Sequence, residues 1–251
     1  MSKTRVISRI DIKNENVIKG IQFDGLRKLG DPNQFARKYY TQGADEIIFM
    51  DAVASLYDRN NLYDIIDQAS QEVFIPITVG GGIRCLDDIY KSLEAGADKV
   101  AINTRAIHNP DFITEGAKVF GSQCMVGSIE AKYQDGWWEA YYDNGREKTN
   151  KNVIEWAYKL QDLGAGEIFI TSVDKDGTQT GFDCKLINEL NTTLSIPVIY
   201  SGGCGNLKHI ESACKVGNLD ALAFGSVLHY NKQRICDIKN TMKKCGLRIR
   251  E

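Results

Sequence analysis

The chain repeats itself, and the repeat limits what it can fold into. Ile75-Pro-Ile-Thr-Val-Gly-Gly-Gly82 matches Ile196-Pro-Val-Ile-Tyr-Ser-Gly-Gly203, and Gly43-Ala-Asp-Glu-Ile47 matches Gly164-Ala-Gly-Glu-Ile168, both at an offset of 121 residues. Ile10-Asp-Ile-Lys13 matches Ile129-Glu-Ala-Lys132 at an offset of 119. Three pairs in the same order imply two similar halves. Short apolar runs at 5–11, 46–51, 73–79, 99–103, 123–130, 167–172, 196–201 and 221–225 read as strands. Amphipathic runs such as 32–42, 86–95, 110–120, 152–163 and 207–216 read as helices between them. Strands alternating with helices imply βαβ units and a parallel sheet. Eight units in 251 residues give about 31 residues each, the size of a (β/α)8 repeat. A doubly wound sheet is the rival, but a duplicated set of four units favours closure. The expectation is one α/β domain over residues 1–251, a (β/α)8 TIM barrel built from two similar half-barrels. Asp31 before Pro32 and Asn109 before Pro110 read as N-caps with proline at the first helical position.

Residues 133–149 break the rhythm. They hold Trp137, Trp138, Tyr141 and Tyr142, followed by Asp143-Asn-Gly145. Asn-Gly is a hairpin signal, so a hairpin is expected to stand over the C-terminal rim after the fifth strand. With 31 basic and 33 acidic residues the charge is balanced. That argues for a packed hairpin rather than a base-stacking platform, and against a nucleic-acid partner. No run approaches the ~18 apolar residues of a membrane span, and the start MSKTRVISRIDIK lacks the apolar core of a signal peptide. The seven cysteines include no C-x-x-C pair, which reads as reduced thiols in a cytoplasmic protein, without a metal site or a cofactor.

The catalytic end of such a barrel is the C-terminal rim of its strands. Asp11 ends strand one and Glu130 ends strand five, at equivalent positions of the repeat. Strands one and five face each other across eight, so the two carboxylates can serve as general acid and general base on one substrate. Glycines follow strand three (Gly80, Gly81, Gly82) and strand seven (Gly202, Gly203), while Asn103-Thr104 and Gly225-Ser226 follow strands four and eight. Glycine lets backbone N–H groups approach a phosphate. Two such cradles on opposite sides imply a substrate with a phosphate at each end. The alternative is that these glycines only make tight βα turns.

The opposite end carries Arg5, Glu46, Lys99 and Glu167 at the starts of strands one, two, four and six. By alternation Arg5 shares the inward face with Asp11, so the four read as a salt-bridge ring closing the N-terminal mouth.

These features, together with Asp11-Ile-Lys13, Lys19-Gly20, Gly30-Asp-Pro32, Phe49-Met-Asp51, Thr78-Val-Gly-Gly-Gly-Ile-Arg84, Asp98-Lys-Val-Ala-Ile-Asn103, Gly121-Ser-Gln-Cys124, Thr171-Ser172, Asp174-Lys-Asp-Gly177 and Ser201-Gly-Gly203, make the chain resemble the cyclase subunit of imidazole glycerol phosphate synthase along nearly its whole length. The isomerase of the preceding histidine step shares the repeat but fits these segments less well. The resemblance implies a glutaminase subunit bound at the N-terminal face. Ammonia from it would pass a charged gate and travel up the barrel. There it would convert a bisphosphorylated ribulosyl-formimino carboxamide ribotide to imidazole glycerol phosphate and an aminoimidazole carboxamide ribotide. By matched position it makes Arg5, Glu46, Lys99 and Glu167 the gate, Asp98 and Gln123 partner-face residues, and Lys19 a residue on a loop over the substrate. It makes Asp11 and Glu130 the acid/base pair. It adds Asp51, Thr171, Asp176, Gly177 and Ser201 to the substrate-binding set with Gly81, Gly82, Asn103, Thr104, Gly202, Gly203, Gly225 and Ser226.

Two positions depart from the family pattern. Glu130 stands where the family has aspartate, and Arg9 stands where it has cysteine. Misplacement of a catalytic group by about 1 Å can lower a rate on the order of 10²-fold. Arg9 points inward below Asp11, and a buried arginine needs a partner. Glu130 is the expected one, which would lower its pKa; Asp11 is the other. Three functions follow: a working cyclase; a paralogue that does not cyclise, but activates a glutaminase and delivers ammonia to a sugar amidotransferase; and a sugar-phosphate isomerase, disfavoured by the ring and the partner-face residues. No Cys–His arrangement supplies a glutaminase within the chain, and His108, His209 and His229 carry no catalytic expectation.

Overall fold

A computed structural model describes residues 3–54, 62–191, 194–217 and 219–250. Eight parallel strands close on themselves: β1 (Arg5–Lys13), β4 (Glu46–Asp51), β5 (Ile77–Gly80), β6 (Lys99–Ile102), β7 (Met125–Gln134), β10 (Glu167–Ser172), β11 (Val198–Ser201) and β12 (Ala221–Phe224), the last pairing back to β1. Helices run between successive strands. This is the expected (β/α)8 barrel.

The two halves agree down to single hydrogen bonds. Ile47 N–H donates to the Pro76 carbonyl, and Ile168 N–H to that of Pro197, both at 3.0 Å. Asp98 Oδ2 accepts the Ile77 N–H at 2.8 Å, and Asp220 Oδ2 accepts the Val198 N–H at 3.1 Å. These contacts explain why β5 and β11 begin later than the apolar runs at 73–79 and 196–201. Pro76 and Pro197 have no N–H to give a ladder, so pairing starts just after them. Val73 is buried outside the strand, while Phe74 is exposed.

Alternation sorts the apolar side chains. One buried cluster lies inside the barrel: Ile7, Ile48, Ala101, Val126, Phe169, Ile199, Ala221 and Ala223. The larger cluster, including Val6, Ile10 and Ile12 of β1, packs the strands against the helices. Asp31 caps helix Pro32–Thr41, its Oδ1 accepting the Gln34 N–H at 2.8 Å. Asn109 does not repeat this pattern. It ends the short helix Thr104–His108 in an extended conformation, and Pro110 already has helical dihedrals before the helix at Asp111–Phe120.

Two hairpins stand on the C-terminal rim. The expected one is β8 (Trp137–Tyr142) with β9 (Glu147–Asn152), β8 extending from the long β7. Trp138 and Tyr141 are buried in it, as a packed hairpin requires. The other, β2 (Asn16–Ile21) with β3 (Asp24–Gly30), follows β1 and was not legible, because most of β3 is solvent-exposed and lacks alternation.

Candidate functional site

The C-terminal rim encloses a cleft of about 280 Å³. Asp11, Lys19, Glu130, Asp51, Gly81, Gly82, Asn103, Thr104 and Asp176 all line it, so nine of the expected residues meet there. Arg9, Phe23, Ser128 and Asn144 line it too.

Asp11 is nearly buried and both its oxygens are taken. Arg9 Nε donates to Oδ1 at 2.7 Å and Lys19 Nζ to Oδ2 at 2.7 Å. Burial alone would raise its pKa, but the charges of Arg9 and Lys19 outweigh that and hold it far below the usual carboxylate range. Lys19 also bridges to Asp176 Oδ2 at 2.8 Å. Although burial disfavours its charge, these two carboxylates raise its pKa. Gln22 N–H donates to the Asp176 carbonyl at 2.8 Å. The β2–β3 hairpin is therefore docked on the segment after β10, where Gly177 lies so close to the Gly20 carbonyl that a Cβ would overlap it.

Glu130 behaves oppositely. Its Oε2 accepts the Gly145 N–H at 2.7 Å. Burial pushes its pKa up to about 7, despite that bond and the charge of Arg9. The expected Arg9–Glu130 ion pair does not form. Arg9 reaches instead to Asp11 on its own strand, to Thr171 Oγ1 at 2.8 Å and to Ser201 Oγ at 3.3 Å. The reason lies in the second hairpin. Asp143, Asn144 and Gly145 all have positive φ (49°, 58° and 73°), and that run of left-handed residues aims one N–H down at Glu130. The Asn-Gly signal located this turn; nothing in the sequence showed what it would hold. The two groups thus differ: the cations beside Asp11 hold it as an anion, while burial leaves Glu130 with a midpoint near neutrality.

The glycines after β5 and β11 adopt matching conformations, with φ of 92° and 75° at Gly81 and Gly82 and 104° and 95° at Gly202 and Gly203. Gly81 is required by close approach, since a Cβ would meet the Asp51 carbonyl. Asp51 Oδ1 accepts the Val53 N–H at 2.9 Å, and burial raises its pKa. The second half of the rim is arranged differently from the first. Thr171 and Ser201 are engaged by Arg9. Gly203 packs on Gly181, whose N–H bonds to its carbonyl at 2.8 Å, and Gly225 lies beside Lys19. Ser226 is buried at the start of helix Ser226–His229.

The other mouth of the barrel carries a closed ring. Arg5 bridges to Glu46 at 2.8 Å and to Glu167, and Lys99 bridges to Glu46 at 2.9 Å and Glu167 at 2.8 Å. Each cation touches both anions. Asp98 and Gln123 are exposed at this end. Among the described residues no cluster of three or more His, Cys, Asp or Glu side chains is placed to hold a metal ion, and no helix is long and apolar enough to cross a membrane.

Residues 5–234 match the family described as Histidine biosynthesis protein. Curated relatives named imidazole glycerol phosphate synthase subunit HisF are similar along the chain. That of Legionella pneumophila is 55% identical over 212 residues, 84% of this chain and 100% of its own length. That of Methanopyrus kandleri is 43% identical, covering 98% of each chain, and that of Dehalococcoides mccartyi is 42% identical, covering 100% of this chain and 99% of its own. With its closed eightfold barrel, paired rim carboxylates and charged mouth, this chain belongs to the HisF family of imidazole glycerol phosphate synthase subunits.

Proposed function

We propose that the chain is the cyclase subunit of an imidazole glycerol phosphate synthase and acts in histidine biosynthesis as a lyase. It takes ammonia from a separate glutaminase subunit seated on the N-terminal face, around Asp98, Gln123 and the ring of Arg5, Glu46, Lys99 and Glu167. It uses that ammonia to convert a bisphosphorylated ribulosyl-formimino carboxamide ribotide to imidazole glycerol phosphate and aminoimidazole carboxamide ribotide. The observation that carries this reading is the pair of carboxyls that line one cleft in unlike surroundings, Asp11 between the cations Arg9 and Lys19 and Glu130 on a single backbone N–H. Addition of ammonia to a carbonyl carbon needs protons delivered to oxygen and removed from nitrogen. Glu130, titrating near 7, suits that shuttle. Asp11 supplies a fixed negative charge for a nitrogen that becomes cationic, and Lys19 is released to the substrate when a phosphate competes with Asp176. The glycines Gly81 and Gly82 with Asn103 and Thr104 hold one phosphate, and Gly177, Gly202, Gly203, Gly225 and Ser226 the other.

A second reading is favoured by one observation: Arg9 already occupies Asp11, Thr171 and Ser201. In that reading the chain activates a glutaminase and passes its ammonia to a sugar amidotransferase. The deciding experiment is turnover of the ribulosyl-formimino ribotide by this chain alone, with an ammonium salt replacing the glutaminase. Formation of imidazole glycerol phosphate supports the cyclase. Absence of product, with the substrate still bound, refutes it and favours the second reading.

A further inference from the structure

Between the charged ring and the cleft, the inside of the barrel is unequally filled. Arg9 crosses it from β1, bonding to β10 through Thr171 and to β11 through Ser201. Its guanidinium carbon lies 5.5 Å from the centroid of the Phe169 ring and 5.5 Å from that of Phe23. A flat cation tied at one edge to Asp11 and in contact with two rings is well fixed. It covers the side of the interior built from Phe169, Ile199 and Ala223, none of which lines the cleft.

The opposite side is different. Ala101 belongs to the same internal cluster yet lines the cleft, so the cleft reaches down to it. Ser128, buried and two residues below Glu130 on β7, lines the cleft beside it. Below them Thr78 Oγ1 donates to Glu46 Oε1 of the ring at 2.7 Å. Thr78, Ala101 and Ser128 thus mark a path from ring to cleft on the side that Arg9 leaves open, whereas the small Ala221 and Ala223 lie on the side it covers.

We propose that Arg9 divides the barrel interior into a sealed half and an off-axis lane, so that a small neutral molecule rising from the ring enters the cleft over Ala101 and Ser128, beside Glu130. Ammonia as that molecule rests on the function proposed above; the division of the interior does not. The lane delivers the nucleophile next to the carboxyl that exchanges protons, on the side away from the carboxylate that Arg9 holds.

Two measurements test this. In the first, Ala101→Cys and Ala223→Cys chains are treated with methyl methanethiosulfonate and mapped by mass spectrometry, with the native cysteines as internal standards. Cys at 101 is expected to react, and Cys at 223 at least about tenfold more slowly, until Arg9→Ala is added and the two rates converge. Equal rates with Arg9 intact overturn the proposal. In the second, Ser128→Val narrows the lane in the complex with the glutaminase. Glutamine-driven product formation is expected to fall about tenfold relative to ammonium-driven formation, and Arg9→Ala in the same chain to restore the ratio. Ala101→Val serves if Ser128→Val does not fold. An unchanged ratio in the variant that folds overturns the lane. If no product forms from ammonium salt in any chain, the cyclase reading has failed, and the labelling result still decides whether Arg9 seals one half.

Discussion

Replacing Glu130 by glutamine should make the protein's stability less dependent on pH, in a direction fixed by the site. Burial raises the folded-state pKa of Glu130 from 4.5 to about 7. A carboxyl whose pKa is raised on folding favours the folded state only while protonated, so its contribution is lost as pH rises through the window between those two values. With about 1.4 kcal/mol per unit, the full penalty above that window is about 3 kcal/mol, and roughly 2 kcal/mol of it develops between pH 5 and pH 8. Part of the side chain faces the cleft, so the lower figure applies to the change. Glutamine keeps an acceptor for the Gly145 N–H and has no charge to desolvate. Thermal unfolding of both chains followed by circular dichroism at pH 5 and pH 8 reads the difference. At 2–4 °C per kcal/mol for a chain of this size, Glu130→Gln should gain about 4–8 °C on the wild type between the two pH values. Parallel melting temperatures would refute the assignment of a near-neutral titration to Glu130.

Gly145→Ala forces a side chain into φ 73° with its Cβ 3.1 Å from the Phe23 ring. It should destabilise by about 1 kcal/mol, and by withdrawing the N–H from Glu130 it should raise that carboxyl's midpoint further, visible in a carbon-13 titration of labelled glutamate. Lys99→Met leaves Glu46 and Glu167 sharing Arg5 alone; because Lys99 is partly exposed, the loss should sit near the low end of the range for a broken buried pair, about 3 kcal/mol, measured by urea unfolding. Gly203→Ala and Gly136→Ala both place alanine at positive φ, but only at 203 would the Cβ overlap a backbone carbonyl, that of Gly181. Gly203→Ala should therefore lower the melting temperature clearly more than Gly136→Ala, which should lose only about 1 kcal/mol.

The barrel was legible because its signal is repeated. Eight apolar runs, a duplicated pattern and paired glycines all imply the same closure, and boundary errors at residues 73 and 196 come only from prolines that cannot donate to a ladder. The site was legible as a set of positions and less so as a set of contacts. Alternation placed Arg9 on the inward face, level with two available carboxylates. The choice of Asp11 was settled by a turn fifteen residues beyond Glu130, which holds that side chain away. The β2–β3 hairpin was missed for a related reason. Its anchors are Lys19, Gln22 and Phe23 on distant segments, and tertiary anchors leave no local periodicity.

The ring at the N-terminal mouth has a property that no one of its bonds possesses. Two cations and two anions alternate around it, each bonded to both opposite neighbours. Such an arrangement has no net charge and, in its symmetric form, no dipole. Its field is that of a quadrupole, which fades within a few ångströms of the mouth. By itself the ring therefore neither draws in cations nor repels anions from solution. An ion at the opening would have to give up its water without compensation, while an uncharged molecule would lose little. The ring can thus discriminate by charge at contact while adding no long-range field of its own.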